Sequence, residues 1–172
     1  PPAASRAGLP AKWATSSSTR CRPLNWMLGK ADRASLCSHH GKSLMRLLLD
    51  THALLWWFTD DSRLSANARA AIADERNEVC VSSASAWEIA TKVRLGKLET
   101  LPRVVERFAE LVAADGFETL PIGLTHALRA GTYAQTHRDP FDRILAAQSE
   151  LESMMLVTVD PAFVEFHSKT LW

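Results

Sequence analysis

The chain has 172 residues, of which 47% are hydrophobic and 23% are charged, as is usual for one globular domain with or without a tail. A chain of this length buries a core of ordinary size, so folding requires neither a disulfide framework nor a structural metal. No apolar run approaches the roughly 18 residues of a membrane-spanning helix, so we expect no membrane partner. The odd number of cysteines and their spacing indicate a reducing, cytoplasmic setting.

The net charge of +1 is distributed unequally along the chain. Residues 1–44 carry seven Lys or Arg and one acid, whereas residues 45–172 carry 13 basic and 18 acidic residues, a net charge of −5. Because non-specific affinity for nucleic acid arises from the neutralisation of phosphates, a domain of this charge is not a generic nucleic-acid binder. Any RNA that it handles must therefore be held at a local site.

Residues 1–44 have no helical or alternating apolar period, which argues against a packed element. Met45, in contrast, directly precedes an apolar stretch that is typical of a buried strand. We interpret residues 1–44 as a disordered basic leader or an upstream extension that the native protein lacks. A targeting segment and a nucleic-acid-binding arm are the alternatives. The predicted folded domain is residues 45–172.

From Met45 onward, apolar strands alternate with helices, which predicts an α/β/α sandwich with a mostly parallel central sheet flanked by helices. The predicted strands cover 46–50, 78–83, 117–122 and 155–160, with a final strand near Leu171. The predicted helices cover 53–58, a segment capped by Ser65, 84–95, 103–114, 125–135 and 141–153, with a short helix from Pro161. Gly96 is expected to end the helix over 84–95, and Gly116 the helix over 103–114.

Four carboxylates occupy similar places in this scheme. Asp50 and Asp160 end strands, while Glu88 and Asp142 lie early in helices. Ligands of an open parallel sheet bind beyond the carboxyl ends of its strands, so we expect all four acids at one edge. Four acids together would repel one another at neutral pH unless a cation or shifted pKa values relieved them. Oxygen ligands without cysteine or paired histidine favour Mg²⁺ or Mn²⁺ over zinc.

Each of these acids also has an ordinary structural explanation. Asp50 and Asp160 precede helices and fit N-caps, and Asp142 suits the positive end of a helix dipole. Glu88 is four residues from Lys92 and fits an ordinary ion pair within one helix. The functional interpretation therefore depends on the four acids sharing one edge.

Four stretches, LLLDTHALLWW, SSASAWEIATKVRLGKL, HRDPFDRILAAQ and LVTVDPAF, resemble in order and spacing the PIN domain of VapC-type toxins, the ribonucleases of type II toxin–antitoxin systems. The resemblance covers residues 45–172 and implies an α/β nuclease that cuts single-stranded RNA with Mg²⁺ or Mn²⁺. It also implies a small VapB-like antitoxin that blocks the site, and a homodimer. By position, it assigns the catalytic and metal-binding roles to Asp50, Glu88, Asp142 and Asp160, with Asp139 and Thr158 in contact with them.

Phosphodiester cleavage requires an activated water and neutralisation of phosphate charge, which a bound Mg²⁺ provides. Arg138 and Arg143 lie beside the acids and are candidates for contact with RNA phosphates. His52 and His137 flank the acids and are expected to be bystanders rather than proton carriers. The alternative functions are a phospho-acceptor signalling domain and a catalytically silent PIN-like binding module; a metal-dependent phosphatase is disfavoured, because no Asp-x-Asp pair follows the first strand.

Overall fold

The computed structural model describes residues 45–98 and 102–172, so the predicted leader over residues 1–44 lies outside the described residues. The strands of the described part are β1 (Arg46–Leu49), β2 (Glu78–Ser82), β3 (Glu118–Leu120), β4 (Met155–Val157) and β5 (Thr170–Leu171). Its helices are α1 (Thr51–Phe58), α2 (Ala66–Ala73), α3 (Ser83–Arg94), α4 (Pro102–Glu106), α5 (Phe108–Ala114), α6 (Leu124–Thr132) and α7 (Pro140–Leu151). A 3₁₀ helix spans Pro161–Val164.

The five strands form one sheet in the order β3-β2-β1-β4-β5, and every neighbouring pair is parallel. In the centre of the sheet, Leu48 pairs with Cys80 on one side and with Leu156 on the other. Successive side chains of a strand point to opposite faces, yet Leu47, Leu48 and Leu49 are all fully buried. Both faces of the sheet are therefore covered, and the predicted α/β architecture with a parallel sheet is confirmed.

Local sequence signals define several element boundaries. The Ser65 hydroxyl accepts a hydrogen bond from the Ala68 amide at 3.1 Å and so caps α2, as predicted. Gly96 follows α3 with φ 68°, a backbone conformation that side chains other than glycine rarely adopt. Gly116 has φ 70° and follows α5 in the same way. The predicted start of α2 and the predicted stops after α3 and α5 are thus correct, because a cap or a positive φ defines them.

The prediction of one helix over residues 103–114 was wrong. The chain forms α4 and α5, which are separated at Arg107, where φ is −112° and ψ is 15°. The two short helices have different neighbours, because α4 packs against α3 and α5 against β3. A change in packing partner within an apolar stretch leaves no mark on its periodicity.

Several predicted elements extend too far toward the carboxyl terminus, three of them for a visible reason or by a clear margin. The strand that begins after Phe117 ends at Leu120, because Pro121 has no amide hydrogen for the ladder. The helix α6 ends at Thr132, since Tyr133 has an extended ψ of 131°. The strand β4 ends at Val157, three residues before Asp160.

Within the described ranges, no helix combines the length and apolar character needed to cross a membrane.

Candidate active site

The strand order of the sheet reverses between β1 and β4. From β1 the chain continues to β2 and β3 on one side, and it then returns to β4 and β5 on the other. A crevice opens beyond the carboxyl ends of the two strands that flank such a reversal. Asp50 directly follows β1, and its amide donates a hydrogen bond to the Val157 carbonyl of β4 at 3.1 Å. The first predicted acid therefore lies at the switch point of the sheet.

Asp50 is only 3% exposed, although it precedes a helix where an acid usually serves as a cap. Its side chain makes no capping hydrogen bond to α1. Instead, the Thr158 hydroxyl donates to its Oδ2 at 2.9 Å. Burial raises the pKa of Asp50, and the charge of Glu88 raises it further, against the opposing effects of Thr158 and His52. The simple capping explanation therefore fails for the carboxylate of Asp50.

Thr158 connects two of the predicted acids. Its hydroxyl oxygen donates to Asp50 and also accepts a hydrogen bond from the Asp160 amide at 3.0 Å. The Asp160 carboxylate in turn accepts from the Ala162 amide at 2.8 Å and caps the 3₁₀ helix. Asp160 thus has the structural role that its position before Pro161 indicates, and the hydroxyl of Thr158 links it to Asp50.

Glu88 lies in α3 and is 4% exposed. Its Oε2 accepts a 2.6 Å hydrogen bond from the Thr51 hydroxyl, and its Oε1 forms the predicted ion pair with Lys92. Thr51 directly follows Asp50, so the hydrogen bond of Thr51 ties Glu88 to the residue next to the first acid. Sequence reasoning overlooked Thr51, although a hydroxyl residue directly after the first acid was the available signal.

Asp142 lies in the first turn of α7, and its Oδ2 is 2.8 Å from Nε2 of His137. Burial raises the pKa of Asp142 to about 6, assisted by the charges of Asp139 and Asp50 and opposed by the hydrogen bond with His137. The charge of Asp50 therefore influences Asp142, as the charge of Glu88 influences Asp50. Asp139 caps α7, because its carboxylate accepts from the Phe141 amide at 2.8 Å.

The sequence profile of the PIN domain matches residues 47–168. The chain belongs to the PIN domain family. No curated protein matches the sequence significantly. Among solved structures, the chain is similar to VapBC2 from Rickettsia felis bound to a promoter DNA fragment, with a TM-score of 0.53 and 14% identity over 74% of this chain and 98% of that one.

Two further solved structures share this fold. FitAcB from Neisseria gonorrhoeae has a TM-score of 0.51 and 20% identity, over 73% of this chain and 96% of that chain. DNA-bound VapBC from Salmonella typhimurium has a TM-score of 0.50 and 19% identity, over 74% of this chain and 98% of that chain. At these identities, the likeness establishes the fold, and the predicted family resemblance is confirmed at the level of the PIN domain.

No three of the four acids of this PIN domain, all of them in the described ranges, bring their ligand atoms within 4.8 Å of one another. Among the described residues, the three potential ligand atoms found within 4.8 Å of one another belong to Glu78, Cys80 and Glu118. That group lies near the amino ends of β2 and β3, away from Asp50. Burial and the neighbouring acids raise the pKa of the Cys80 thiol to about 12, so it remains protonated and is a poor metal ligand. We therefore do not assign a metal to that group.

The donor chemistry around Asp50 fits a hard divalent cation. Asp50, Glu88 and Asp142 offer carboxylate oxygens, the ligands that Mg²⁺ and Mn²⁺ prefer. Burial makes ionised Asp50 and Asp142 unfavourable, and a cation would offset that cost. Mg²⁺ commonly binds one or two carboxylates directly and retains several waters, so the site does not require all four carboxylates to meet at one point.

The two arginines proposed to contact RNA have different surroundings. Arg138 is exposed beside Asp139. The guanidinium of Arg143 instead donates four hydrogen bonds of 2.8–3.1 Å to main-chain carbonyls, that of Ala130 in the last turn of α6 and those of Tyr133, Gln135 and His137 in the α6–α7 connection. Arg143 thus holds the loop that carries His137. His52 is exposed and its ring lies 5.9 Å from that of Trp56.

Proposed function

We propose that this PIN domain is a Mg²⁺-dependent endoribonuclease toxin of the VapC kind, active in the cytoplasm and neutralised by a small VapB-like antitoxin. The observation that supports it most is the position of Asp50. This carboxylate is buried at the switch point of the sheet and does not cap its helix. Its electrostatic influence extends to two further acids, which belong to two different helices.

In this proposal, Asp50 and Asp142 are the principal ligands of Mg²⁺ or Mn²⁺, and Glu88 and Asp160 complete the acidic set. When bound, such a cation supplies Lewis acidity toward the scissile phosphate and lowers the pKa of a water. Thr158 fixes one oxygen of Asp50 by its hydrogen bond. Fixed carboxylates are valuable here because a small displacement of a catalytic group is costly to the rate.

Neighbouring residues hold the remaining acids in place. Thr51 and Lys92 each bind one oxygen of Glu88, so both ends of this carboxylate are restrained. His137 binds Oδ2 of Asp142. These contacts orient the acids before substrate arrives, and none of them requires His137 itself to carry a proton in the reaction.

For contact with RNA, the exposed Arg138 is the stronger candidate of the two arginines. The guanidinium of Arg143 already binds four carbonyl oxygens and would have to release some of them to reach a phosphate. The net charge of −5 over residues 45–172 is compatible with an antitoxin that inserts a basic segment. We retain the homodimer as part of the proposal because the family resemblance implies it.

The two rival functions receive less support. A phospho-acceptor domain of the flavodoxin-like type has the strand order 2-1-3-4-5, whereas the order here is β3-β2-β1-β4-β5. Its acceptor aspartate must also be accessible, and Asp50 is 3% exposed. A silent PIN-like binding module would be expected to have lost members of the acidic set, and all four are present.

Purified protein carrying Asp50→Asn or Asp142→Asn tests the proposal directly. We expect the wild-type chain to cleave single-stranded RNA with Mg²⁺ or Mn²⁺ and to be inactive in EDTA. Each substitution should lower the cleavage rate by about 100-fold or more, because the acids hold the cation and orient the water. Cleavage products are resolved by denaturing electrophoresis, and growth arrest on expression provides a second readout.

Asp74→Asn is the matched control, since Asp74 is an acid that binds Arg76 after α2 and has no place in the acidic set. It should cleave at the wild-type rate. Full activity in either Asp50→Asn or Asp142→Asn would contradict the assignment of the site. Labelling of Asp50 by acetyl phosphate without any RNA cleavage would favour the phospho-acceptor alternative instead.

A further inference from the structure

Two aromatic residues, of which Trp87 is exposed and Phe141 half-buried, directly precede two of the acids in the chain. Trp87 directly precedes Glu88 in α3, and Phe141 directly precedes Asp142 in α7. Their ring centroids are 4.8 Å apart and the ring planes meet at 72°, an edge-to-face arrangement. The two helices pack against each other, so this pair joins the segments that carry two of the acids.

Trp87 remains 59% exposed despite its contact with Phe141. The two tryptophans of α1 have more contacts within the domain: Trp56 packs on Trp172, and Trp57 donates a hydrogen bond to Asp115 at 2.7 Å. A large aromatic ring that is held at one edge and exposed to solvent elsewhere contributes little to the core. Its position is better explained by a ligand that approaches the acids.

Charge indicates which ligand chemistry fits this surface. Residues 45–172 have a net charge of −5, so general attraction to phosphates contributes little to the binding of RNA. Stacking of bases on aromatic rings does not depend on net charge, and it is the usual way in which unpaired nucleotides are held. Asp142, which would help to hold the cation, directly follows Phe141, so a nucleotide bound at that cation would lie near the aromatic pair.

We propose that Trp87, braced by Phe141, stacks on the base of a nucleotide next to the scissile phosphate and thereby selects unpaired RNA. This inference rests on the proposed nuclease function and adds to it a binding residue outside the acidic set. Trp87 is then a specificity residue: its loss weakens substrate binding and leaves the chemical step intact.

The test compares Trp87→Ala, Trp87→Phe and the control Leu95→Ala in the full chain. Leu95 is 52% exposed and lies at the opposite end of α3, so its loss removes a similarly exposed apolar side chain away from the acids. The probe is a single-stranded RNA that the wild-type protein cleaves. For Trp87→Ala we expect KM to rise about tenfold, within the range known for the loss of one base–aromatic stack, with kcat within twofold of wild type. Trp87→Phe and Leu95→Ala should remain near wild type.

Abasic substitution in the RNA identifies the partner of the ring. In the wild-type protein, removal of one base beside the cut should raise KM about tenfold, and in Trp87→Ala the same removal should have almost no further effect. The abasic series with the wild-type protein remains informative even if Trp87→Ala does not fold. The inference requires that the series contain one position beside the cut at which removal of the base raises KM.

Three outcomes would overturn the inference. The first is an unchanged KM in folded Trp87→Ala, and the second is the absence of any abasic-sensitive position in wild type. The third is a variant that loses antitoxin binding or self-association while KM for RNA stays the same, which would make the pair a protein interface. In each case, wild-type cleavage of RNA leaves the proposed function standing, whereas failure of the wild-type protein to cleave RNA in Mg²⁺ or Mn²⁺ refutes the function itself.

Discussion

Asp50 and Asp139 both precede helices in this chain, yet their carboxylates serve different purposes. Asp139 accepts a hydrogen bond from the Phe141 amide and caps α7. Asp50 makes no such bond, and its carboxylate is buried beside Thr158. A buried ionised carboxylate costs stability unless something compensates for it. At the scale of single residues, the site therefore carries an electrostatic cost that the rest of the fold must offset.

Asp142 permits a measurement of that cost. Its pKa is raised to about 6 in the folded protein, above the ordinary value of 3.8. Because the pKa is raised on folding, Asp142 contributes to the free energy of unfolding in its protonated form. This contribution is fully present below about pH 3.8 and is lost as pH rises through about 6. Asp142→Asn removes this loss, so the variant should be roughly 1–3 kcal/mol more stable than wild type at pH 8, and the gain should shrink as the pH falls below 6.

Urea denaturation in EDTA between pH 5 and pH 8 checks this prediction. Asp61→Asn is the control, because hydrogen bonding to Arg63 lowers the pKa of Asp61 to about 2. Its substitution should give no stability gain at any pH in this range. A constant difference between Asp142→Asn and wild type across the whole range would show that Asp142 does not titrate near pH 6 in the folded protein.

At the scale of elements, the connection between α6 and α7 is organised by Arg143. One guanidinium binds three carbonyl oxygens of this connection and one of the last turn of α6, and the connection carries His137, which binds Asp142. Hydrogen bonds to a charged group contribute more to stability than neutral ones. We expect Arg143→Ala to lower the free energy of unfolding by roughly 2–4 kcal/mol, and Arg143→Lys, which keeps the charge but loses the planar fork, by about half as much.

Urea denaturation and hydrogen exchange of the amides of residues 133–139 would measure this effect. Arg76→Ala is the matched control, since its ion pair with Asp74 lies at the surface and should contribute less than about 1 kcal/mol. If Arg143→Ala kept full stability and normal exchange but bound RNA more weakly, the assignment of Arg143 to the loop would be wrong. The earlier prediction of an RNA contact would then be favoured.

At the scale of the molecule, the parallel pairing of β1 with β4 brings Asp50 beside Thr158, 108 positions away in the chain. We propose that residues 45–172 fold without residues 1–44, because the apolar periods begin at Met45 and the basic charge lies before it. A chain that begins at Met45 is then expected to unfold at the same urea concentration as the full chain and to cleave RNA at the same rate. A loss of stability or of cleavage greater than about twofold would assign residues 1–44 a role in the domain.

The sequence by itself determined the class of the fold. Alternating apolar strands and helices predicted the parallel α/β architecture, and the capping residue Ser65 located the start of α2 correctly. These features are local, since a strand period or a cap depends on neighbours within a few residues. The four ordered motifs likewise predicted the PIN family before any distance was known.

Only the tertiary structure decided how the acids are held. Thr51 binds Glu88 across 37 positions of sequence, and Thr158 binds Asp50 across 108. Arg143 was equally ambiguous, because an arginine beside an acidic site fits both a phosphate and a carbonyl until its partners are seen. Such contacts follow from the strand order and its reversal between β1 and β4. Local periodicity does not encode that order, since it arises when every apolar face is packed at once.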